Sequence, residues 1–433
     1  MKASLYNLFV PYKDCTVIYN PLWDTCVMVK SNNFVLNVLK SANKDLLRVL
    51  DNNVLDKLTE NKFVLDDNFD EFAYFESQLN NTNNNTEEFI LTINPTLACN
   101  FRCWYCYEEH SNKPHMTNID VQRVGKIMEE IFTRPNIKRV CLNFFGGEPL
   151  LAFSTVVKSI VCRAECLAKE NKKSFYIVVT TNGYYLKPDY ALFLKEHNIG
   201  NYQITLDGNR ERHNKVRSTK DGKDTYSQIL KNIKYTLSIG SNVIIRINIS
   251  EETNLDVTLL LDDFMDLSED SKKHLIFSIQ KVWQADSSVK SVIREIITTI
   301  RSKGFMCQPF NLSYRDIHRT CYADKEKHLV INPNGEIYGC TARDFNKETI
   351  EGRIGIDGNI VFNTKRYARL GISPLQNDEC KYCNILPICI GGCKQKILEK
   401  QNMKTCMFGF SESEKQEFAN EYVIEKLTQE LSF

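Results

Sequence analysis

This chain of 433 residues has almost no net charge: 55 Lys and Arg stand against 54 Asp and Glu, a formal charge of +1. No field of one sign draws it to nucleic acid, to an acidic substrate or to an anionic membrane surface. It also has no long apolar run, and nothing in it approaches the ~18 residues that a membrane span needs. The opening MKASLYNLFVPYKDC lacks the basic segment followed by an apolar one that marks a secretion signal. These absences leave a soluble chain that stays in the cytoplasm. Its 42% hydrophobic content is ample for the cores of roughly two or three domains.

Cysteine is what the chain has in excess, with 16 in all. Without a secretion signal they read as metal ligands or catalytic thiols rather than as a disulfide framework. Five have the bland reading of small buried hydrophobes. These are Cys15, Cys26, Cys141 in the apolar run VCLNFF, and Cys162 with Cys166 on a helical segment.

Hydrophobic periodicity divides the rest. Residues 1–80 begin with strand-like pieces, CTVIYN and CVMVK, and continue with helical spacing. The Asn-rich QLNNTNNNTEE then reads as a linker over 81–88. Beyond it, six apolar runs alternate with helical segments: FILTINP, RVCLNFF, SFYIVVTTN, NYQITLD, NVIIRINIS and HLIFSIQ. In DTYSQILKNIKYTLSIG the helical face is Tyr226, Ile229, Leu230, Ile233 and Leu237, with Gly240 as the stop. Strands this apolar need cover on both faces, which makes the fold class α/β with a parallel sheet. Ligands of such sheets collect at the carboxyl ends of the strands.

TLACNFRCWYCYEE, with Cys99, Cys103 and Cys106, follows the first of those strands. Three readings compete for it. A structural zinc site wants a fourth Cys or His at regular spacing, and three packing thiols would not need a loop at a strand end. An iron-sulfur cluster fits the spacing: three thiolates hold three irons of a 4Fe-4S cube and leave the fourth open to a substrate. Phe101, Trp104 and Tyr105 would shield it.

These residues resemble the signature of the radical S-adenosylmethionine (SAM) enzymes, Cys-x3-Cys-x-aromatic-Cys, with Tyr105 in the aromatic slot. FFGGEPLL resembles the family's Gly-Gly-Glu-Pro element, so Gly146, Gly147, Glu148 and Pro149 are expected to meet the amino group of the cofactor's methionine. In that reading the Glu148 carboxylate holds the ammonium through a charge-assisted hydrogen bond. TTNG, with Asn182, and ITLDGNRERHNKVRSTKDG resemble the third and fourth strand ends of the peptide-modifying branch. Thr205, Asp207 and Arg217 are thereby expected to contact the cofactor's ribose and carboxylate. The resemblance spans residues 89 to about 282 and implies a partial (β/α)6 TIM-like barrel over 89–305.

A second cysteine pattern follows: Cys321, Cys340, then Cys380-x2-Cys383-x5-Cys389-x3-Cys393 and Cys406. A zinc ribbon would use only four of these seven thiols. The spacing resembles the SPASM extension, a Cys-rich C-terminal domain expected over 306–410 and followed by a helix over 411–433. The resemblance implies two auxiliary 4Fe-4S clusters, the outer on Cys380, Cys383, Cys389 and Cys406, the inner on Cys321, Cys340 and Cys393. The inner set is one ligand short. Cys307 is a thiol that can complete it, an iron left open to a substrate group is the alternative, and Asp316 or His318 are the non-thiol candidates.

The resemblance further implies an oxidoreductase that generates a 5'-deoxyadenosyl radical, a flavodoxin or ferredoxin as electron donor, and a peptide substrate. Residues 1–80 look like the small winged-helix domains that bind leader peptides of ribosomally made natural products (RiPPs) by adding a strand to a sheet edge; a plain capping domain is the alternative. Sulfatase maturases of the family carry Asp after the second cysteine of the extension, where this chain has Thr341 after Cys340. The expectation is therefore a RiPP maturase that cross-links its precursor peptide. Another peptide oxidation, such as formylglycine formation, or a non-catalytic electron-transfer module are the alternatives.

Overall fold

The computed structural model describes residues 1–41, 43–84, 86–109, 114–219, 221–253, 255–285, 289–308, 316–400 and 405–430. They form two compact units, and neither is continuous in sequence. The first joins 1–85, 312–326 and 368–433; the second joins 86–311 and 327–367.

In the first unit, β1 (Leu8–Tyr12), β2 (Cys15–Asn20) and β3 (Thr25–Lys30) make an antiparallel sheet in that order. β2 is buried at every residue but its first, and its alternation explains why. Ile18 faces a core built with α1 (Phe34–Ser41), α2 (Asn52–Glu60) and the Phe63–Val64 segment. Val17 and Tyr19 face the other way, into a core with Ile385, Ile388, Tyr422 and Val423, against which Cys383 and Cys389 pack. A strand with both faces covered is apolar through its middle, as Val17, Ile18 and Tyr19 are, and its buried Asn20 is hydrogen-bonded to Ser4 and Asn7. β1 was not legible, because Pro11 interrupts LFVPY and proline demotes a strand pattern.

Two expected boundaries are corrected. The Asn-rich linker is largely the end of α3 (Glu71–Asn84): Phe75, Leu79 and Asn83 are its buried face, and the Thr82 hydroxyl donates to the Ile317 carbonyl at 2.7 Å. The segment expected as one domain over 306–410 is divided between the units, because its short strands continue the large sheet while its later cysteines join the first unit.

That sheet has eleven strands among the described residues. Its centre is the six expected strands, β4 (Glu88–Ile93), β5 (Arg139–Phe144), β6 (Ser174–Thr181), β7 (Ile199–Thr205), β8 (Val243–Ile249) and β9 (Leu275–Lys281), parallel and in sequence order. β10 (Met306–Cys307) adds in parallel to β9, and β11 (His328–Ile331) adds in parallel to β4. From β11 the sheet runs antiparallel through β12 (Glu336–Tyr338), β13 (Gly352–Ile354) and β14 (Ile360–Phe362). Helices α4 (Asn118–Thr133), α5 (Lys158–Asn171), α6 (Pro188–Glu196), α7 (Arg210–Val216), α8 (Thr225–Ser238) and α9 (Lys290–Ser302) alternate with the strands. This is the α/β arrangement with a large parallel sheet expected of a partial (β/α)6 barrel. α8 shows the cause locally: Asp224 caps it by accepting from Ser227 N, Tyr226, Ile229, Ile233 and Leu237 are buried, and Gly240 ends it at φ +70°.

Cys141 is buried, as expected, but Cys162 and Cys166 are exposed, because α5 turns Ile160, Val161, Ala164 and Leu167 to the core instead. Cys26 is exposed on β3 as well. Among the described residues, no helix is long and apolar enough to cross a membrane.

Since Leu8, Val10, Val17 and Tyr19 share one core with Ile385, Ile388 and Tyr422, removing residues 1–66 should uncover that core rather than excise a free domain. We expect the truncated protein to bind an apolar dye such as ANS and to aggregate. A monodisperse truncation that leaves the dye dark would show the first unit to be separable.

Candidate active site

The carboxyl ends of β5 to β9 and the loop after β4 line a cleft that opens to solvent. Cys99, Cys103 and Cys106 line it together with Tyr105, Gly146, Gly147, Asn182, Thr205 and Arg217. Most of the residues singled out in sequence are thus brought to one place. Glu148, Pro149 and Asp207 are not on its wall, and each is buried.

Backbone contact positions the Cys loop. Gly147 N donates to Thr96 O at 3.2 Å and Glu148 N to Ala98 O at 3.0 Å. A Cβ on Gly147 would lie 2.4 Å from the Ala98 oxygen, and one on Gly146, at φ +102°, 2.5 Å from the Thr96 oxygen. Two glycines are needed because any side chain would push the loop away.

Glu148, expected to meet the cofactor's ammonium, is engaged within the protein in the structure. Its side chain has no exposure, and its oxygens accept from Thr181 Oγ1 at 2.7 Å, Leu150 N at 3.0 Å and Asn182 N at 2.7 Å. Burial pushes its pKa up, against those hydrogen bonds. A carboxyl so committed ties the end of β5 to the end of β6 and does not face the cleft. Asn182 continues the tie: its amide donates to Asn100 Oδ1 at 2.9 Å and to Cys99 Sγ at 3.9 Å. Asp207 is likewise turned inward, toward Tyr105, and accepts from Asn248 N at 2.8 Å.

The thiols are held protonated until a metal binds. Burial, helped by the charge of Glu148, pushes Cys99 up to about 12. Burial also raises Cys103, and pushes Cys106, the most open of the three, up to about 11. Binding iron must therefore release protons. The nearest compensating cation is Arg217, which acts on all three thiols. It is 7% exposed, and its Nε has no hydrogen-bond partner among the described residues. A buried guanidinium that lines a cleft with three thiols suits an anionic ligand group, such as a carboxylate. The residues present fit a cluster with S-adenosylmethionine.

Sequence reasoning missed Arg246, Asn248, Glu108 and Trp283 on the same wall. The first two were legible in principle, since they are the polar residues of the buried strand NVIIRINIS and Arg246 Nε donates to Asn248 Oδ1 at 2.8 Å. Glu108 carries no such signal, as its polarity suits any loop.

The second cysteine set lies apart. In the first unit, Cys380, Cys383 and Cys406 add their charge to the burial that pushes Cys389 up to about 12, and Cys406 N donates to Glu379 Oε2 at 2.8 Å. Cys321 and Cys393 belong to that unit, Cys307 and Cys340 to the other. Asp316 and His318 are engaged elsewhere: Asp316 accepts from His318 N, Arg319 N and Tyr422 Oη, each at 2.8 Å, and His318 Nε2 lies 3.1 Å from Pro21 O. Among the described residues, no three His, Cys, Asp or Glu side chains converge as ligands of a single ion do.

The Radical SAM superfamily model matches residues 93–264, which run from the end of β4 past β8 and contain the three thiols and most of the cleft. Residues 93–264 form a radical SAM domain. Its chemistry is the reductive cleavage of S-adenosylmethionine on a 4Fe-4S cluster to a 5'-deoxyadenosyl radical, which makes the protein an enzyme. The radical SAM cyclopropyl synthase TigE of Paramaledivibacter caminithermalis is 21% identical over 81% of this chain and 78% of its own length. A cysteine-type anaerobic sulfatase-maturating enzyme of Clostridium novyi is 24% identical over 69% of this chain and 85% of its own. Among solved structures, anSMEcpe with bound AdoMet matches with a TM-score of 0.59 and 17% identity, covering 78% of this chain and 98% of that one. Streptococcus suis SuiB bound to its precursor peptide SuiA matches at 0.51 and 16%, covering 92% and 97%. These two show that the radical SAM domain here sits in the same fold.

Replacing Glu148 by Gln should destabilise the domain by about 1–3 kcal/mol, because the amide brings a donor into a pocket where two backbone N–H groups and a hydroxyl already point inward. Thermal denaturation of the iron-free protein checks it, and an unchanged midpoint would mean the carboxyl is not the tie described.

Proposed function

We propose that this radical SAM enzyme modifies a ribosomally made precursor peptide by taking a hydrogen atom from an unactivated carbon, and that it forms an intramolecular cross-link. Cys99, Cys103 and Cys106 hold the catalytic cluster, and Arg217, on the cleft wall, takes the carboxylate of S-adenosylmethionine. The cluster-bound cofactor supplies the radical. Gly146 and Gly147 keep the wall close, Thr205 and Asn182 line it, and Phe101 and Tyr105 shield the reacting space from water.

The observation that carries the peptide part is the edge of β3. One side of the three-stranded sheet is occupied, since Gln416 of α10 (Glu412–Glu430) donates to Phe9 O on β1 at 3.0 Å. On the other side, among the described residues, β3 pairs with β2 alone, and its residues alternate between half-buried and exposed. An extended leader peptide can add there as a further strand. The likeness to SuiB, whose solved structure holds a precursor peptide and which covers 92% of this chain, supports the reading.

Cys380, Cys383, Cys389 and Cys406 are proposed to hold an auxiliary 4Fe-4S cluster, and Cys321, Cys340 and Cys393, completed by Cys307 or by a substrate group, a second one. Such clusters would accept the electron that remains when a substrate radical closes to a new bond, and flavodoxin or ferredoxin would supply the first electron. Sulfatase-type maturation is the second reading, favoured by the likeness to anSMEcpe and opposed by Thr341, which is neutral and buried.

The test is anaerobic reconstitution with iron and sulfide, followed by S-adenosylmethionine, a reductant and, as candidate precursor, any short peptide found encoded next to the gene. We expect 5'-deoxyadenosine and a peptide that has lost a pair of hydrogens per bond formed. Changing Cys99, Cys103 and Cys106 together to Ala should abolish both and lower bound iron by about four per chain. Undiminished 5'-deoxyadenosine from that variant would refute the catalytic assignment, and a peptide whose only change is a cysteine turned to formylglycine would favour the second reading.

A further inference from the structure

The hydroxyl of Tyr105 makes three hydrogen bonds beside the cleft. It donates to Asp207 Oδ2, accepts from Arg217 Nη1 at 2.6 Å and accepts from Asn248 Nδ2 at 3.1 Å. These partners come from three places: the loop after β7, the end of α7 and β8. Each is fixed in turn. Asp207 N donates to His213 Nδ1 at 3.2 Å, and Asp207 Oδ1 accepts from Asn248 N at 2.8 Å. Arg217 N donates to His213 O at 2.7 Å, and the guanidinium lies 5.6 Å from the centre of the Phe101 ring.

The aromatic slot between two cluster cysteines needs only a ring to shield the cluster, so the ring does not account for this hydroxyl. Its place does. Arg217 and Asp207 are both buried, their nearest charged atoms are 3.9 Å apart, and the hydroxyl bonds to both. Two buried opposite charges at that separation would otherwise close on each other, because a direct bidentate pair is the favoured arrangement of a guanidinium and a carboxylate. The wedge prevents it. With Nη1 held by Tyr105 and one face covered by Phe101, the guanidinium stays on the cleft wall instead of folding onto Asp207.

We propose that the Tyr105 hydroxyl is a positioning group, which holds Arg217 off Asp207 and keeps its guanidinium on the cleft wall for the carboxylate of S-adenosylmethionine. Asp207 on this account does not touch the cofactor; it turns the hydroxyl. The inference rests on the reading of Arg217 as the carboxylate's partner, and the experiment separates the two.

Dissociation constants for S-adenosylmethionine and for its decarboxylated analogue are measured by equilibrium dialysis on the reconstituted enzyme, its Tyr105→Phe variant and its Arg217→Gln variant. The preference for the carboxylate-bearing ligand should fall about 10- to 100-fold in Arg217→Gln, the range of a charged hydrogen bond. Tyr105→Phe, which keeps the ring, should lose most of the same amount while binding the decarboxylated analogue as the parent does. It should also shift the electron paramagnetic resonance spectrum of the reduced cluster with cofactor bound, and leave the spectrum without cofactor unchanged. If Arg217→Gln keeps the parent's preference, the reading of Arg217 is wrong and this inference falls with it. If Arg217→Gln loses the preference and Tyr105→Phe keeps it, the inference alone is overturned. Equal weakening of both ligands by Tyr105→Phe would show a merely structural role. Should Tyr105→Phe fail to assemble its cluster, Asp207→Ala removes the acceptor that turns the hydroxyl. The same selective loss is then expected, and a preference at the parent's level overturns the inference.

Discussion

Everything in the cleft depends on how closely the turn after β5 approaches the Cys loop after β4. Gly147 leaves no room for a Cβ against the Ala98 carbonyl, and the two backbone hydrogen bonds across this contact set where Cys99 starts. The buried Glu148 carboxyl fastens the same turn to Thr181 and Asn182 at the end of β6. Three strand ends and the first thiol thus share one set of hydrogen bonds. Such a set is costly to break, because each donor would be left buried and unpaired.

From that contact the electrostatics of the site follow. The three thiols are covered enough that burial opposes their ionisation, so the neutral apo site and the loaded site differ by the protons the thiols release. Arg217 is the buried cation placed to offset the charge that remains. Burial works against its own ionisation, but Cys103, Tyr105 and Asp207 outweigh that and hold it charged. A fixed cation in a low-dielectric wall is a stronger recognition element for a carboxylate than the same group in water. Its aim then matters as much as its charge.

Much of this was legible in the chain. The six parallel strands were written as apolar runs, and the three-Cys loop, the double glycine, Asn182, Thr205 and Arg217 all reach one cleft because a parallel sheet brings its strand ends together. What could not be read was direction. Glu148 and Asp207 sit in motifs that suggest a ligand, yet their carboxyls point into the protein, and spacing alone says nothing of which way a loop side chain turns. The Asn-rich stretch looked like a linker because its polarity hid a helix whose one buried Asn and one Thr hydrogen bond replace apolar contacts. Nor does spacing show that β11 to β14 extend the large sheet while the later cysteines share a core with β1 and β2. Those pairings join segments more than two hundred residues apart in sequence.

The central claim is that Cys99, Cys103 and Cys106 hold a cluster with one iron open to S-adenosylmethionine. Pulsed electron-nuclear double resonance on the reduced, reconstituted enzyme tests it most directly, using cofactor labelled with ¹⁵N at the amine and ¹³C at the carboxylate. Couplings of both labels to the cluster spin, absent when the three cysteines are changed to Ala, are the result this account predicts. A reduced cluster that shows neither coupling in the presence of saturating cofactor would contradict it.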